Sequence, residues 1–258
     1  MSTDTIFTKK IDTRYRREPI ELNFKAFEDV LKSRRSVRVF TDEIVPDEVI
    51  QISIEHGLLA PNSSNLQPWE FHWVKSKEKR SLLAKYCFSQ NGAKTASHLI
   101  VCVAKTNTWK KNCKRTLDDH SDTVEEIPSV IKQYYQKIAP FAYGLMGPLG
   151  ILSPFKWVLL NTIGLFQVMS RGPIWPSDLI TWATKTTALA CENIMLSIRA
   201  QGFDSLAMEG FDESRVKKLL KLKRHDHVTM IIAVGKCGEK GIYSPQIRFP
   251  KDEFIIKH

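Results

Sequence analysis

"APNSSNLQPWEF" (60–71) sets Asn62, Ser63, Ser64, Asn65 and Gln67 between Pro61 and Pro68. Hydroxyl and amide side chains this short bond their own backbone, so the stretch reads as a loop. Before it, "VPDEVIQISIEHGLLA" (45–60) opens with Pro46, Asp47 and Glu48, residues that favour a helix start. Val49, Ile50, Ile54, Leu58 and Leu59 then recur at helical spacing. After it, "WEFHWV" (69–74) alternates as a strand does. On its own the loop is either an ordinary helix-to-strand connection or a set of polar groups able to read the edge of a polar heterocycle.

The elements outside this unit mix helix and strand without a regular alternation. Phe24, Phe27, Val30 and Leu31 predict a short helix over 24–32, a charged helix follows from Lys77 to about Phe88, and another is expected around 122–137. Leu179, Trp182, Leu189, Ile194, Met195 and Ile198 form a broad stripe over 178–200, and Asp212 caps a helix in "DESRVKKLLKL". "HLIVCVAKT" (98–106) and "HVTMIIAVGKC" (227–237) are apolar runs that suit buried strands, and "FDSLAMEGF" (203–211) is a short strand and turn. The fold class expected is α+β, with a polar arm at 1–23 and one domain over 24–258.

The chain has 258 residues and a formal charge of +10, which draws anions: nucleic acid, an anionic membrane or phosphate-bearing cofactors. Aromatic and basic residues are not interleaved as single-strand nucleic-acid binders require, so no nucleic-acid partner is expected. Five cysteines with no CxxC spacing disfavour a zinc cage or disulfide framework and suit a reducing cytoplasm. No metal is expected; the "RHDH" around His225 and His227 reads as a surface turn. There is no GxGxxG, Walker-type loop, HExxH or GxSxG.

"RRSVRVF" (34–40) gathers Arg34, Arg35 and Arg38 around Ser36. Guanidinium forks match phosphate oxygens in pairs, yet the same residues would also make a solvated turn. Taken together, "RRSVRVF", "APNSSNLQPWEF" and "GFDSLAMEGFDESRVKKLL" (202–220) resemble three separated motifs of the FMN-dependent nitroreductase family. "PQIRFP" (245–250) is a weaker fourth match. The resemblance covers roughly 24–106 and 178–250.

That resemblance implies a central mixed or antiparallel sheet flanked by helices, in an intertwined homodimer with FMN at the interface. Arg34, Arg35, Ser36 and Arg38 are then expected to meet the flavin from one subunit, with Arg34 and Arg248 on the phosphate and Arg38 at the pyrimidine edge. Asn62, Ser63 and Asn65 would come from the other subunit. Ala207, Met208, Glu209 and Gly210 match the turn beneath the ring, with Arg38, Glu209 and Gly210 closest to the chemistry. Thr186 falls near a polar position used towards the cofactor. Gln246 stands where the family commonly has a basic residue, which leaves the phosphate one cation short. The activity implied is ping-pong hydride transfer from NAD(P)H through flavin N5 to a nitroaromatic, quinone or similar small oxidant.

"IAPFAYGLMGPLGILSPFKWVLLNTIGLFQVMS" (138–170) lies outside the resemblance, and Lys156 is the only charge between Lys137 and Arg171. Pro140, Pro148 and Pro154, with four glycines, are expected to break it into pieces too short to span a bilayer. The segment, about 138–171, reads as an insertion that covers a pocket or meets a membrane surface. As a lid it would suit a reductive dehalogenase or another specialised flavoenzyme of this fold. As a membrane-facing surface it would place the protein at the inner membrane, or make it a basic peripheral membrane-binding protein.

Overall fold

The structure, a computed structural model, describes residues 18–123 and 127–258. Most of the expected 1–23 arm and part of the helix expected around 122–137 lie outside the described residues. The chain runs through α1 (Phe24–Ser33), α2 (Asp47–Leu58), β1 (Trp69–Trp73), α3 (Lys77–Tyr86), α4 (Asn91–Thr95) and β2 (His98–Lys105). It continues through α5 (Trp109–Thr123), α6 (Ser129–Gln133), a π turn at Tyr134–Ile138, α7 (Ala139–Tyr143) and α8 (Ser153–Phe166). Last come α9 (Pro176–Ala200), β3 (Asp204–Met208), α10 (Glu213–Leu220) and β4 (Asp226–Gly235).

The four strands form one antiparallel sheet in the order β1-β2-β4-β3. β2 is buried at all eight positions, because both faces of the sheet are covered. Period-two alternation sorts its side chains between two cores. Ile100 and Cys102 pack with Ile50 of α2 and with Cys191, Ile194 and Ile198 of α9. Leu99, Val101 and Val103 pack on the other side with Leu83 of α3 and Val216 of α10. α2 and α9 come close because Gly57 has no side chain: a Cβ there would lie 2.6 Å from Ile194 Cγ1.

Local signals start the helices where the sequence places them. Asn23 Oδ1 accepts from Ala26 N–H at 3.0 Å, and Asp212 Oδ1 accepts from Arg215 N–H at 3.0 Å. Each satisfies one of the orphan donors of a first turn. Three expectations change. Leu189 is exposed, and Ala183, Ala190 and Cys191 take the inner positions of α9 instead. α5 was not expected, since WKKNCKRTLDDHSDT is polar apart from Trp109, Cys113 and Leu117, which with the buried Thr116 are one face of a helix. Pro154 and Gly164 do not interrupt the 138–171 insertion. Pro154 sits in the first turn of α8, where its missing N–H is harmless, and Gly164 lies inside the helix.

Among the described residues no helix is long and apolar enough to cross a membrane. The five cysteines are free, and burial pushes the Cys87 thiol up to about 12 and Cys113 up to about 11. Among the described residues no cluster of His, Cys, Asp and Glu could hold a metal ion.

Candidate functional site

β3 is an edge strand, and the arginine motif runs along its open side. Ser36 makes a parallel bridge to Ser205, and Val37 N–H donates to Ser205 O at 3.2 Å. Because the bridge is parallel, the chain from Ser36 to Arg38 runs the same way as Ser205 to Ala207. The other side of the motif is held by the C-terminal segment. Arg38 N–H donates to Gly241 O at 2.7 Å, and Gly238 N–H donates to Val39 O at 3.0 Å. Arg35 Nη2 donates to Ser244 O, so this arginine fixes the segment rather than standing free.

Between motif and segment lies a cleft of ≈ 230 Å³. Arg34, Arg35, Ser36 and Arg38 line one side, and Ile242 through Arg248, Gln246 included, line the other. No carboxylate lines it, and among the described residues none of Arg34, Arg35, Arg38 and Arg248 has an acidic partner within an ion-pair distance. Four guanidinium groups this close repel one another unless an anion sits among them. The donor set is that of a phosphate site: planar forks able to bind oxygen pairs.

Where β3 ends, the expected turn is open. Met208 is buried, but Ala207 is exposed on a strand that is otherwise buried. Glu209 and Gly210 follow it, both exposed, and Gln90 Nε2 donates to Gly210 O at 2.9 Å. A Cβ on Gly210 would lie 3.3 Å from that Gln90 nitrogen. A flat ligand lying along the strand end would meet backbone and the Ala207 methyl group, with Phe88 Cδ2 4.0 Å from the Cβ position of Gly210.

The "NSSN" loop is strained and clamped. Ser64, Asn65 and Gln67 have φ of 61°, 45° and 45°, in the left-handed region that asparagine tolerates and serine does not favour. Asn62 turns inward: its Oδ1 accepts from Gln67 N–H at 2.8 Å and its amide donates to Ala60 O at 3.3 Å. Three tyrosines hold the rest. Tyr134 and Tyr143 hydroxyls lie 2.6 and 3.1 Å from Ser64 Oγ, Tyr143 lies 3.3 Å from Ser63 Oγ, and Tyr135 donates to Ser64 O at 3.0 Å. Burial, then the neighbouring Tyr134, Cys113 and Tyr143, raise the Tyr135 phenol above its ordinary value and keep it a neutral donor. Sequence reading missed these tyrosines; the only signal was "QYYQ" beside an apolar run.

The structure therefore brings together Arg34, Arg35, Ser36, Arg38, Gln246 and Arg248, with β3 leading from Ser205 to Ala207, Met208, Glu209 and Gly210. Asn62, Ser63 and Asn65 do not line that cleft. Neither does Thr186, which is 2% exposed on α9.

The Nitroreductase family matches residues 31–236. The chain belongs to that family. The match takes in the arginine motif, the "NSSN" loop and the β3 turn, and stops before the segment carrying Gln246 and Arg248. A Staphylococcus epidermidis protein provisionally assigned as an NAD(P)H nitroreductase is 29% identical over 177 residues, 68% of this chain and 69% of its own length. The structure of a nitroreductase family protein from Streptococcus pneumoniae superposes with a TM-score of 0.64 at 25% identity, covering 90% of this chain and all of that one. A provisionally assigned nitroreductase from Exiguobacterium sibiricum, solved in complex with FMN, has a TM-score of 0.66 at 20% identity, over 90% and 97% of the two chains. The last two likenesses agree with the α+β architecture of this nitroreductase-family chain.

Proposed function

We propose that the protein is an NAD(P)H-dependent FMN oxidoreductase whose flavin sites lie between two copies of the chain. The observation that carries this is the carboxylate-free cleft of four arginines, whose Ser36–Arg38 wall runs beside β3 towards the exposed Ala207, Glu209 and Gly210. The cleft fits the group: a phosphate needs charge-assisted donors, and a ring needs a flat surface beside them. Arg34 and Arg248 would bind the phosphate, and Gln246 would add a neutral donor where a further cation is common. Arg38 would hold a fixed positive charge at the pyrimidine edge, where electron density grows on reduction. FMN held by these residues would supply the redox chemistry, hydride exchange between NAD(P)H and a nitroaromatic, quinone or similar small oxidant in alternate half-reactions.

The "NSSN" loop completes the reading. Asn62, Ser63 and Asn65 do not line the arginine cleft of their own chain, and in this reading they serve the site of a second copy. The exposed Phe24, Phe27 and Leu31 face of α1, and Phe249, Phe254, Ile255 and Ile256 in the tail, are apolar surface that a homodimer would bury. The protein's groups orient and stabilise; no acid–base relay is required of them.

The test is reconstitution of the purified protein with FMN, followed by anaerobic NADH or NADPH. The expected result is a yellow protein that bleaches with either or both donors and recovers colour on adding a quinone. A protein that FMN cannot colour would overturn the assignment.

A further inference from the structure

We infer that α8 is a membrane-docking helix which lays its outer face on an anionic lipid surface. This goes beyond the redox reading and does not depend on it.

The helix is built inside out. Its buried strip is Ser153, Lys156 and Leu160. Its outer face carries Phe155, Trp157, Val158, Leu159, Leu165 and Phe166, all exposed, with Phe166 at 85%. The single cation is therefore turned inward, 2% exposed, while the aromatic residues on either side of it point outward. Lysine normally extends its ammonium group to water and is rarely buried without a charged partner. Here Lys156 Nζ donates to Ala142 O instead, and burial lowers its pKa against an opposing pull from Asp178. Turning Lys156 inward removes the only charge from the outward face. A water-facing helix would be arranged the opposite way.

The surroundings decide the occupant. Residues 127–177 contain no aspartate or glutamate, and hold Lys132, Lys137, Lys156 and Arg171. Arg171 lies over the C-terminal end of α8, donating to Asn161 Oδ1 at 2.7 Å and to Gly164 O at 2.9 Å. At the other end Ser153 Oγ donates to Ile174 O at 2.8 Å, which places the exposed Trp175 beside the start of the helix. The nearest acid along the chain, Asp178, is occupied by the N–H groups of Ile174 and Trp175. The patch is thus apolar and aromatic, with the Arg171 guanidinium at its C-terminal end and no acid in residues 127–177, which complements anionic headgroups over acyl chains. A second copy would offer the same acid-free segment and no carboxylate from it to meet Arg171. With 14 residues the helix is too short to cross, so it lies in the interface.

Flotation of the full-length protein with vesicles of phosphatidylglycerol and phosphatidylcholine tests this, against vesicles of phosphatidylcholine alone. The expected result is flotation with the anionic vesicles that weakens with salt, and a fall of at least about tenfold in partitioning for Trp157→Ser/Phe166→Ser. Circular dichroism of that variant shows that it folds. The inference is overturned if the wild-type protein stays unbound, or if the folded variant floats as well as wild type. It is also overturned if the substitutions halve the mass seen by light scattering while vesicles bind neither protein, since the face would then belong to a second copy.

Discussion

Arg38 N–H donates to Gly241 O at 2.7 Å, and this bond joins the first recognisable motif of the chain to a segment two hundred residues later. With the Gly238–Val39 and Arg35–Ser244 bonds it holds the segment that forms the far wall of the cleft. Gly241 is buried there, and a Cβ on it would lie 2.4 Å from Val39 O and 2.9 Å from Cys237 Sγ. Backbone cannot yield as a side-chain tip can. Gly241→Ala is therefore expected to push the C-terminal segment off the motif, at a cost of about 1–3 kcal/mol. Thermal unfolding and FMN titration check it, and a variant that binds FMN as wild type does would refute this role.

The arginines of the cleft are not equivalent. A charge-assisted bond to phosphate contributes about 1.5–3 kcal/mol, so Arg34→Ala or Arg248→Ala should raise the FMN Kd about 10- to 100-fold. Arg38→Ala should instead lower the two-electron flavin potential, by about 30 mV for each 1.4 kcal/mol lost, with a smaller change in Kd. Arg35 holds Ser244 and should act indirectly, weakening binding less than Arg34→Ala. Spectroelectrochemistry beside equilibrium titration separates the three.

Ser64 Oγ has two tyrosine partners, Tyr134 and Tyr143. Losing either leaves the other, so Tyr134→Phe and Tyr143→Phe should each cost no more than about 1 kcal/mol. Losing both leaves a left-handed serine with an unpartnered hydroxyl. The double variant should cost clearly more than the sum, with a coupling of about 0.5–3 kcal/mol. A strictly additive double-mutant cycle in urea unfolding would contradict the clamp.

Stability against pH should turn on Lys105 and Asp226. Lys105 Nζ lies 2.8 Å from Asp226 and 3.0 Å from Glu70, and Asp226 is 1% exposed. Burial pulls the Asp226 pKa up, but bonds from Lys105 and the Lys223 backbone, with the charges of Lys105 and Lys217, outweigh it and leave the pKa below 3.8. An acid depressed in the fold stabilises above its unfolded value and loses that contribution as pH falls through its folded one. The protein should therefore weaken below about pH 3.8 through this group, and Asp226→Asn should remove that part of the acid limb. Stranding Lys105 with Glu70 alone should cost about 3 kcal/mol near neutrality. Denaturant midpoints from pH 3 to 8 read both effects.

Much of the fold was legible where local chemistry and packing agree. The helix and strand around "NSSNLQPW", the buried run of β2 and the Asp212 cap all follow from their residues. α5 was hidden because three apolar residues among fifteen, Trp109, Cys113 and Leu117, leave little period to detect. Pro154 and Gly164 misled because their effect depends on position in a turn, which sequence does not give. Within the site, the arginines and the β3 turn could be named from their motifs. The tyrosine clamp and the Arg35–Ser244 bond could not, since each joins residues more than sixty positions apart.

The central claim is that each flavin site takes its arginines from one copy and its "NSSN" loop from another. Complementation tests it most directly, with Arg34→Ala and Asn65→Gly chains, the latter chosen because glycine keeps the positive φ of Asn65. Each homodimer carries a lesion in both of its sites and should bind FMN weakly. When the two chains are co-expressed with distinct tags, the mixed dimer gathers both lesions in one site and leaves the other intact. The account predicts that the doubly tagged fraction binds FMN with wild-type affinity in one of its two sites, and reduces it with NAD(P)H. Mixed dimers that bind no better than either parent would show that each chain builds its site alone.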